Sequence, residues 1–251
     1  MVVIENGSEA EKLEIVALLQ IETRVIGIVE LWENYLEKIP ADQVNQSWLA
    51  KLDLRFRDPL FHNSKRIIDL IVAFFGLIIT LPIILISLLF IIVESGLPIF
   101  FSQKRTGFLG RSYVLYKLRT MKSDAEQKEA KWAMENDLRV TKVGHFLRKW
   151  RIDEIPQFWN VIKGEMSIVG PRPERPEFQE ELMDKIPHWN CRHLVKPGLT
   201  GWAQIRFRYA SDLDSSKEKL AYDLYYIKHA SILMDVQIIL STLRSIAKGS
   251  R

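Results

Sequence analysis

Two adjacent carboxylates, Asp153 and Glu154, lie among four cations: Arg148, Lys149, Arg151 and, beyond a short gap, Arg172. Acids held among cations suit a metal-assisted reaction on a phosphate substrate. The carboxylates can attack or bind a hard cation, and arginines grip phosphate oxygens in a planar fork. An Asp-Glu pair alone is common on helix surfaces, so its neighbours decide. Ile152, Ile155, Phe158 and Trp159 make the surrounding segment apolar, and Pro156 leaves nearby backbone groups unpaired. These features predict dyad side chains on a mostly apolar helix, diverging by about 100° and so suited to different tasks.

Further motifs could supply the rest of such a site. In Gly170-Pro-Arg-Pro173, Pro171 and Pro173 stiffen the backbone around Arg172, which suits bidentate phosphate binding or merely a structural turn. Lys117 and Arg119 alternate along a predicted strand and would point the same way, toward a ligand or toward solvent. The stretch Lys196-Pro-Gly-Leu-Thr-Gly-Trp-Ala-Gln204 is punctuated by Gly198 and Gly201, whose amides could cradle phosphate or form a tight turn. His193, with Arg192 and Cys191, reads as packing rather than a metal site. No P-loop and no G-x-G-x-x-G is present, which argues against NTPase or dinucleotide chemistry.

The elements that position these residues include an unusual one. From Leu70 to Val93 there are 24 successive uncharged residues. A buried core helix and a straight transmembrane helix are both open readings, since a span needs roughly 20 apolar residues. Pro82, in the middle of the run, and basic flanks on both sides (Lys65 and Arg66 before, Lys104 and Arg105 after) favour a kinked, re-entrant helix over residues 67–93 with both ends in the cytoplasm. A strand pair follows, Pro98–Gln103 with Ser112–Lys117. Helices are expected over 9–38, 123–136, 142–163 (interrupted at Pro156) and 217–248, the last carrying an amphipathic stretch that suits core packing or the membrane interface. Seven tryptophans, including Trp150, Trp159, Trp189 and Trp202, suit headgroup-level anchoring.

The expected fold is α+β and mostly helical. It comprises a helical extension over 1–60 and a membrane-anchored domain over 61–251, monotopic, with a small β-hairpin and amphipathic interfacial helices. A net charge of +4 and a pI near 9.0 suit an anionic leaflet and are too weak to argue for nucleic acid. A single cysteine, Cys191, excludes an intramolecular disulfide or a cysteine zinc cluster. The first residues lack a secretory signal's basic and apolar regions.

Taken in order, Lys65-Arg-Ile-Ile-Asp69, Tyr116-Lys-Leu-Arg-Thr-Met121, Arg151-Ile-Asp-Glu154, Ser167-Ile-Val-Gly-Pro-Arg-Pro173, Lys196 to Gln204 and Tyr222-Asp-Leu-Tyr-Tyr-Ile227 resemble the bacterial sugar transferases, specifically the monotopic phosphoglycosyl transferases of exopolysaccharide type. The resemblance covers nearly everything after residue 60. It implies a Mg²⁺-dependent enzyme of the bacterial inner membrane, its catalytic domain facing the cytoplasm. Asp153 would attack a UDP-sugar, release UMP and pass the phosphosugar to polyprenyl phosphate. Glu154 would assist at metal and substrate. Lys117, Arg119, Arg148 and Arg172 would line the substrate site together with Pro171, Pro173, Gly198, Thr200, Gly201 and Gln204. A homo-oligomer is compatible with the resemblance.

Leu81-Pro82 departs from the family's usual Ser-Pro, Ile152 stands where leucine is usual, and Glu165 stands where aspartate is frequent. Residues 1–60 resemble only the tail of the upstream region carried by large members, so a catalytic-core or truncated member is expected. Two rivals share the features read from residues: a metal-dependent membrane phosphatase and a non-catalytic membrane-surface adaptor. The sugar has no recognisable signature.

Overall fold

The structure, a computed structural model, describes residues 2–4, 25–44, 58–122, 137, 139–207 and 212–249. The expected helix over 123–136 and most of the one over 9–38 lie outside these residues. Within 25–38 the helical expectation fails in part. Strand β1 (Val2–Ile4) pairs in parallel with β2 (Val25–Gly27), and only then come a short α-turn, Ile28–Leu31, and a π-helical stretch, Trp32–Leu36. Glu37, in the left-handed region at φ 53°, ends it one turn before Pro40.

This extension is welded to the main domain. Ile39, fully buried, joins Ala41 and Val44 in a core with Leu182, Ile186, Trp189, Leu220 and Leu224. The Ile39 amide donates to the Ala221 carbonyl at 2.9 Å, and Lys228 pairs with Glu33 at 2.6 Å.

The apolar run forms one continuous 37-residue helix, α1 (Pro59–Ser95), about 55 Å long at 1.5 Å per residue. Asp58 caps its start and Pro59 takes the first position, where a missing amide costs nothing. The helix continues through Pro82, which faces outward. Buried and half-buried positions recur every three or four residues: Lys65, Asp69 and Ala73, then Gly76, Thr80 and Ile84, then Ser87, Ile91 and Ser95. That is one helical face, and it lies along the domain from end to end. The remaining surface is apolar and open; Ile79, Leu89 and Val93 are among its exposed residues. Only a small part of this apolar window is buried, unlike the core helix of a soluble domain.

Both ends of α1 are bound to the domain. At the N-terminal end, Lys65 pairs with Asp235 at 2.6 Å, Asp235 accepts from the Tyr226 hydroxyl at 2.8 Å, and Asp69 accepts from the Ile168 amide at 3.0 Å. At the C-terminal end, Ile91 packs with Leu118 and Leu147, burial worth about 1.5–3 kcal/mol for each side chain. There Glu94 accepts from the Lys142 and Val143 amides, capping the next helix.

Strands β3 (Phe100–Thr106) and β4 (Ser112–Leu118) form the expected antiparallel hairpin. The region expected as one helix broken at Pro156 is instead α2 (Lys142–Lys149), a single 3₁₀ turn (Ile152–Glu154) and α3 (Gln157–Lys163). The break comes five residues earlier than Pro156, at Arg151, whose φ of 52° no α-helix continues through. Beyond β5 (Ser167–Val169) and α4 (Pro176–Lys185), β6 (Gly198–Thr200) pairs in parallel with β5. After α5 (Trp202–Arg206), the helical tail is two helices, α6 (Leu213–His229) and α7 (Ile232–Ala247), which Asp212 and Ser231 cap.

The principal core joins Ala73 of α1 to Val161, Met166, Ile168, Trp202 and Tyr226, among others. Trp189 and Trp202, at 1% and 2% exposure, are core residues and not headgroup anchors; their ring nitrogens donate to Gln179 and to the Glu37 carbonyl. Among the four tryptophans singled out, only Trp159 is mostly exposed.

Candidate active site

The dyad occupies the 3₁₀ turn between α2 and α3, so its side chains diverge by about 120° rather than 100°. Both acids are buried, at 7% and 8% exposure, but their partners differ. Glu154 Oε1 accepts from Lys117 Nζ at 2.9 Å and from Arg172 at 2.7 Å, while Arg151 stands 3.6 Å from Oε2. No described residue donates a hydrogen bond to Asp153.

The electrostatics follow the partners. Burial alone would raise Glu154, but the charges of Arg172, Lys117 and Arg151 outweigh it and hold the carboxyl well below its usual range. Burial raises Asp153, and Glu154's negative charge adds to this against the opposing pull of Lys117, Arg148 and Arg172. One acid is thus neutralised by cations, and the other is desolvated and bare.

Each expected site residue can be placed. Lys117, Arg172, Asp153 and Glu154 come together, and Arg148, whose Nε donates to Thr120 Oγ1 at 2.8 Å, lies close enough to act on Asp153. Arg119 does not share Lys117's direction. It is buried against the end of α1, donating to the Ser95 and Gly96 carbonyls and to Ser95 Oγ at 3.0 Å. Thr200 Oγ1 bonds Thr242 Oγ1 at 2.6 Å, joining β6 to α7. Gly198 and Gly201 let two loops touch: a side chain at either would collide with the Gly170 backbone. The Gly198 amide donates to the Pro171 carbonyl at 2.9 Å. The Gln204 side-chain amide is buried, and neither of its polar atoms has a partner among the described residues.

One group escaped the sequence reading. Behind Arg172 lies a closed set of buried charges: Glu174 with Lys219 and Arg192, and Arg192 with Asp223 at 2.8 Å. A signal for it was present, because Asp223 sits on the buried face of α6 with Leu220 and Ile227. An acid within an apolar stripe requires a buried partner.

Among the described residues, no group of three His, Cys, Asp or Glu could hold a metal unaided. The donor set does fit Mg²⁺ that completes its shell with water and substrate phosphates, since such sites use only one or two carboxylates. Asp153, free of hydrogen-bond donors, and Glu154 are the residues that would hold it.

The chain is 38% identical over 225 residues to the UDP-N-acetylgalactosamine-undecaprenyl-phosphate N-acetylgalactosaminephosphotransferase of Aeromonas hydrophila, covering 90% of this chain and 52% of that protein. It is 39% identical over 189 residues to the UDP-glucose:undecaprenyl-phosphate glucose-1-phosphate transferase of Xanthomonas campestris pv. campestris, covering 74% and 39%. A protein of the same description from Caulobacter vibrioides is 36% identical over 184 residues, with 72% and 69% covered. The chain therefore spans about half, or less, of the length of the first two relatives. The family model described as bacterial sugar transferase matches residues 61–249, from the first turn of α1 to the end of α7, and this chain belongs to that family.

Proposed function

We propose that this chain transfers a sugar 1-phosphate from a UDP-sugar to polyprenyl phosphate, undecaprenyl phosphate by analogy with the relatives' names, through a covalent phosphosugar on Asp153. The observation that carries the reading is the asymmetry of the dyad: Glu154 is saturated by Lys117 and Arg172, while the Asp153 carboxylate is left free to attack.

An Asp153 carboxylate oxygen attacks the β-phosphorus. The bond from that phosphorus to the bridging oxygen breaks, and UMP leaves with the oxygen. A phosphate oxygen of the polyprenyl phosphate then attacks the same phosphorus, the acyl-phosphate bond breaks, and Asp153 is restored. Dividing the transfer in two spares the enzyme from binding a soluble nucleotide and a lipid together. Lys117 and Arg172 hold Glu154 now and are placed to hold phosphate oxygens when substrate arrives. Mg²⁺, when bound, offsets phosphate charge.

The contacts along α1 support a monotopic arrangement. A spanning helix would carry its ends to opposite faces of the bilayer, yet both ends of α1 pack on one domain. On this reading both ends of the helix stay on one side, the cytoplasmic side of the bacterial inner membrane, where nucleotide sugars are made. The exposed apolar residues of α7, including Leu233 and Leu243, lie in the interface plane.

The test is a panel of UDP-sugars with and without undecaprenyl phosphate, followed by UMP release and intact-protein mass. A phosphosugar adduct, turnover that requires the lipid, and loss of both in EDTA with recovery in Mg²⁺ are expected. UMP release that continues without lipid would indicate a phosphatase, and none at all an adaptor. For topology, single cysteines at Asp58 and Ser102 in a Cys191→Ser background should both resist an impermeant thiol reagent outside intact cells; labelling of one alone would mean a spanning helix.

A further inference from the structure

We infer that Arg192 and Arg105 are positioning residues for the phosphate-binding arginine: together they fix the backbone that carries Arg172. The inference rests on the proposed transfer reaction, in which Arg172 binds phosphate.

Four successive carbonyls, Pro171 through Glu174, each accept a hydrogen bond from elsewhere in the fold. Gly198 N donates to Pro171 O at 2.9 Å, and Arg192 to Arg172 O at 2.9 Å. Arg105 donates to Pro173 O at 3.2 Å, and Thr106 N to Glu174 O at 3.0 Å. Pro171, Pro173 and Glu174 are buried, so their carbonyls need donors within the fold, and the donors they find fix the path of the backbone at each step. Two of the four donors are guanidinium groups that must be desolvated to reach their acceptors, which is costly unless each is compensated.

The compensation is partial, since Arg192 Nε and Nη1 and Arg105 Nε find no hydrogen-bond acceptor among the described residues. Arg192, with its side chain 2% exposed, pairs with Asp223 at 2.8 Å and lies over the Trp189 ring at 4.4 Å. Arg105 also donates to Gln103 at 2.8 Å. The Arg172 side chain, in contrast, is bound among the described residues only at its tip, to Glu154 at 2.7 Å. A phosphate can take that tip from Glu154 while the backbone beneath stays in place. Alignment of a reacting phosphorus tolerates little displacement, so the frame acts on catalysis through Arg172 without touching substrate.

One nitrogen of Arg192, Nη2, donates to both Arg172 O and Asp223, while Nη1 stands 3.7 Å from Glu174, a planar spread over three groups that a lysine ammonium does not reproduce. In the intact protein in nanodiscs, Arg192→Lys should lower kcat/KM for the UDP-sugar roughly tenfold to a hundredfold, mainly through KM, with the unfolding midpoint preserved. Arg172→Lys should cost at least as much, and the double variant no more than Arg172→Lys alone, because both changes act on one group. Should Arg192→Lys fail to fold, half-buried Arg105→Lys serves in the same cycle with the same expectation. Losses that multiply in the double variant, or an unchanged KM, would overturn the inference. If the unmutated protein forms no adduct and releases no UMP, the transfer reaction itself is what fails.

Discussion

Two buried acids that both act on Arg172 by charge, Asp153 and Glu174, are settled in opposite ways. Glu174 is buried, which alone would raise it, but the charges of Lys219, Arg192 and Arg105 bring it down to about 2. Asp153 is just as buried and also has cations nearby, yet it is raised, because burial outweighs them and the adjacent charge of Glu154 adds to the rise. The like charge beside Asp153, and the hydrogen-bonded cation beside Glu174, together separate them. An acid enclosed by its partners stabilises the fold. An acid denied them is kept reactive.

Asp153→Asn tests the reactive side and should have the largest effect. An amide cannot attack phosphorus, so turnover should fall on the order of 10³-fold or more and the adduct should vanish. Stability should not fall with it. A raised Asp contributes unfavourably to folding when ionised, so a neutral amide of equal size should leave the unfolding midpoint unchanged or higher. An adduct on the Asp153→Asn protein would move the nucleophile elsewhere.

Glu174→Gln should show the reverse. With its pKa depressed from 4.5 to about 2, Glu174 contributes stability that is complete above the unfolded value and lost as pH falls from about 4.5 to about 2. At neutral pH the variant should therefore lose about 3 kcal/mol in chemical denaturation, with the acid dependence in that window flattened. An unchanged acid transition would show that Glu174 is not the stabilising acid. Glu154→Gln should fall between the two, slowing turnover severely because Lys117 and Arg172 lose their anion, with a smaller effect on folding.

The subtlest test uses Lys117→Met. Lys117 lowers the Asp153 pKa against the pull of burial, so removing it should raise that pKa further and move the acid limb of kcat/KM to higher pH. A shift to lower pH would break the electrostatic account of the dyad.

Much of this was legible in residue order. The hairpin, the apolar helix and the gathering of Asp153, Glu154, Lys117 and Arg172 follow from alternation, hydropathy and motif. The 3₁₀ turn at the dyad was not, because a left-handed Arg151 has no local signature where glycine or asparagine would be expected. Arg119 was misplaced because β4 ends at Leu118, and the period of two ends with it. The frame under Arg172 was hidden for another reason: its members come from residues 105, 174, 192, 219 and 223, and no periodicity links groups so far apart.

The pairing of Lys65 with Asp235 also has a consequence in time. The two residues are 170 positions apart in the chain, so α1 leaves the ribosome long before its counter-ion exists. At about 5–20 residues per second the delay is roughly 10–30 seconds. Throughout it, on the proposed membrane reading, Lys65 and Asp69 must stay hydrated while the apolar turns beyond them enter the bilayer. Biogenesis thus has two stages. If α1 inserts as proposed, insertion comes first and the last described helix then closes the Lys65–Asp235 pair, so a chain stopped before Asp235 should lack that closure.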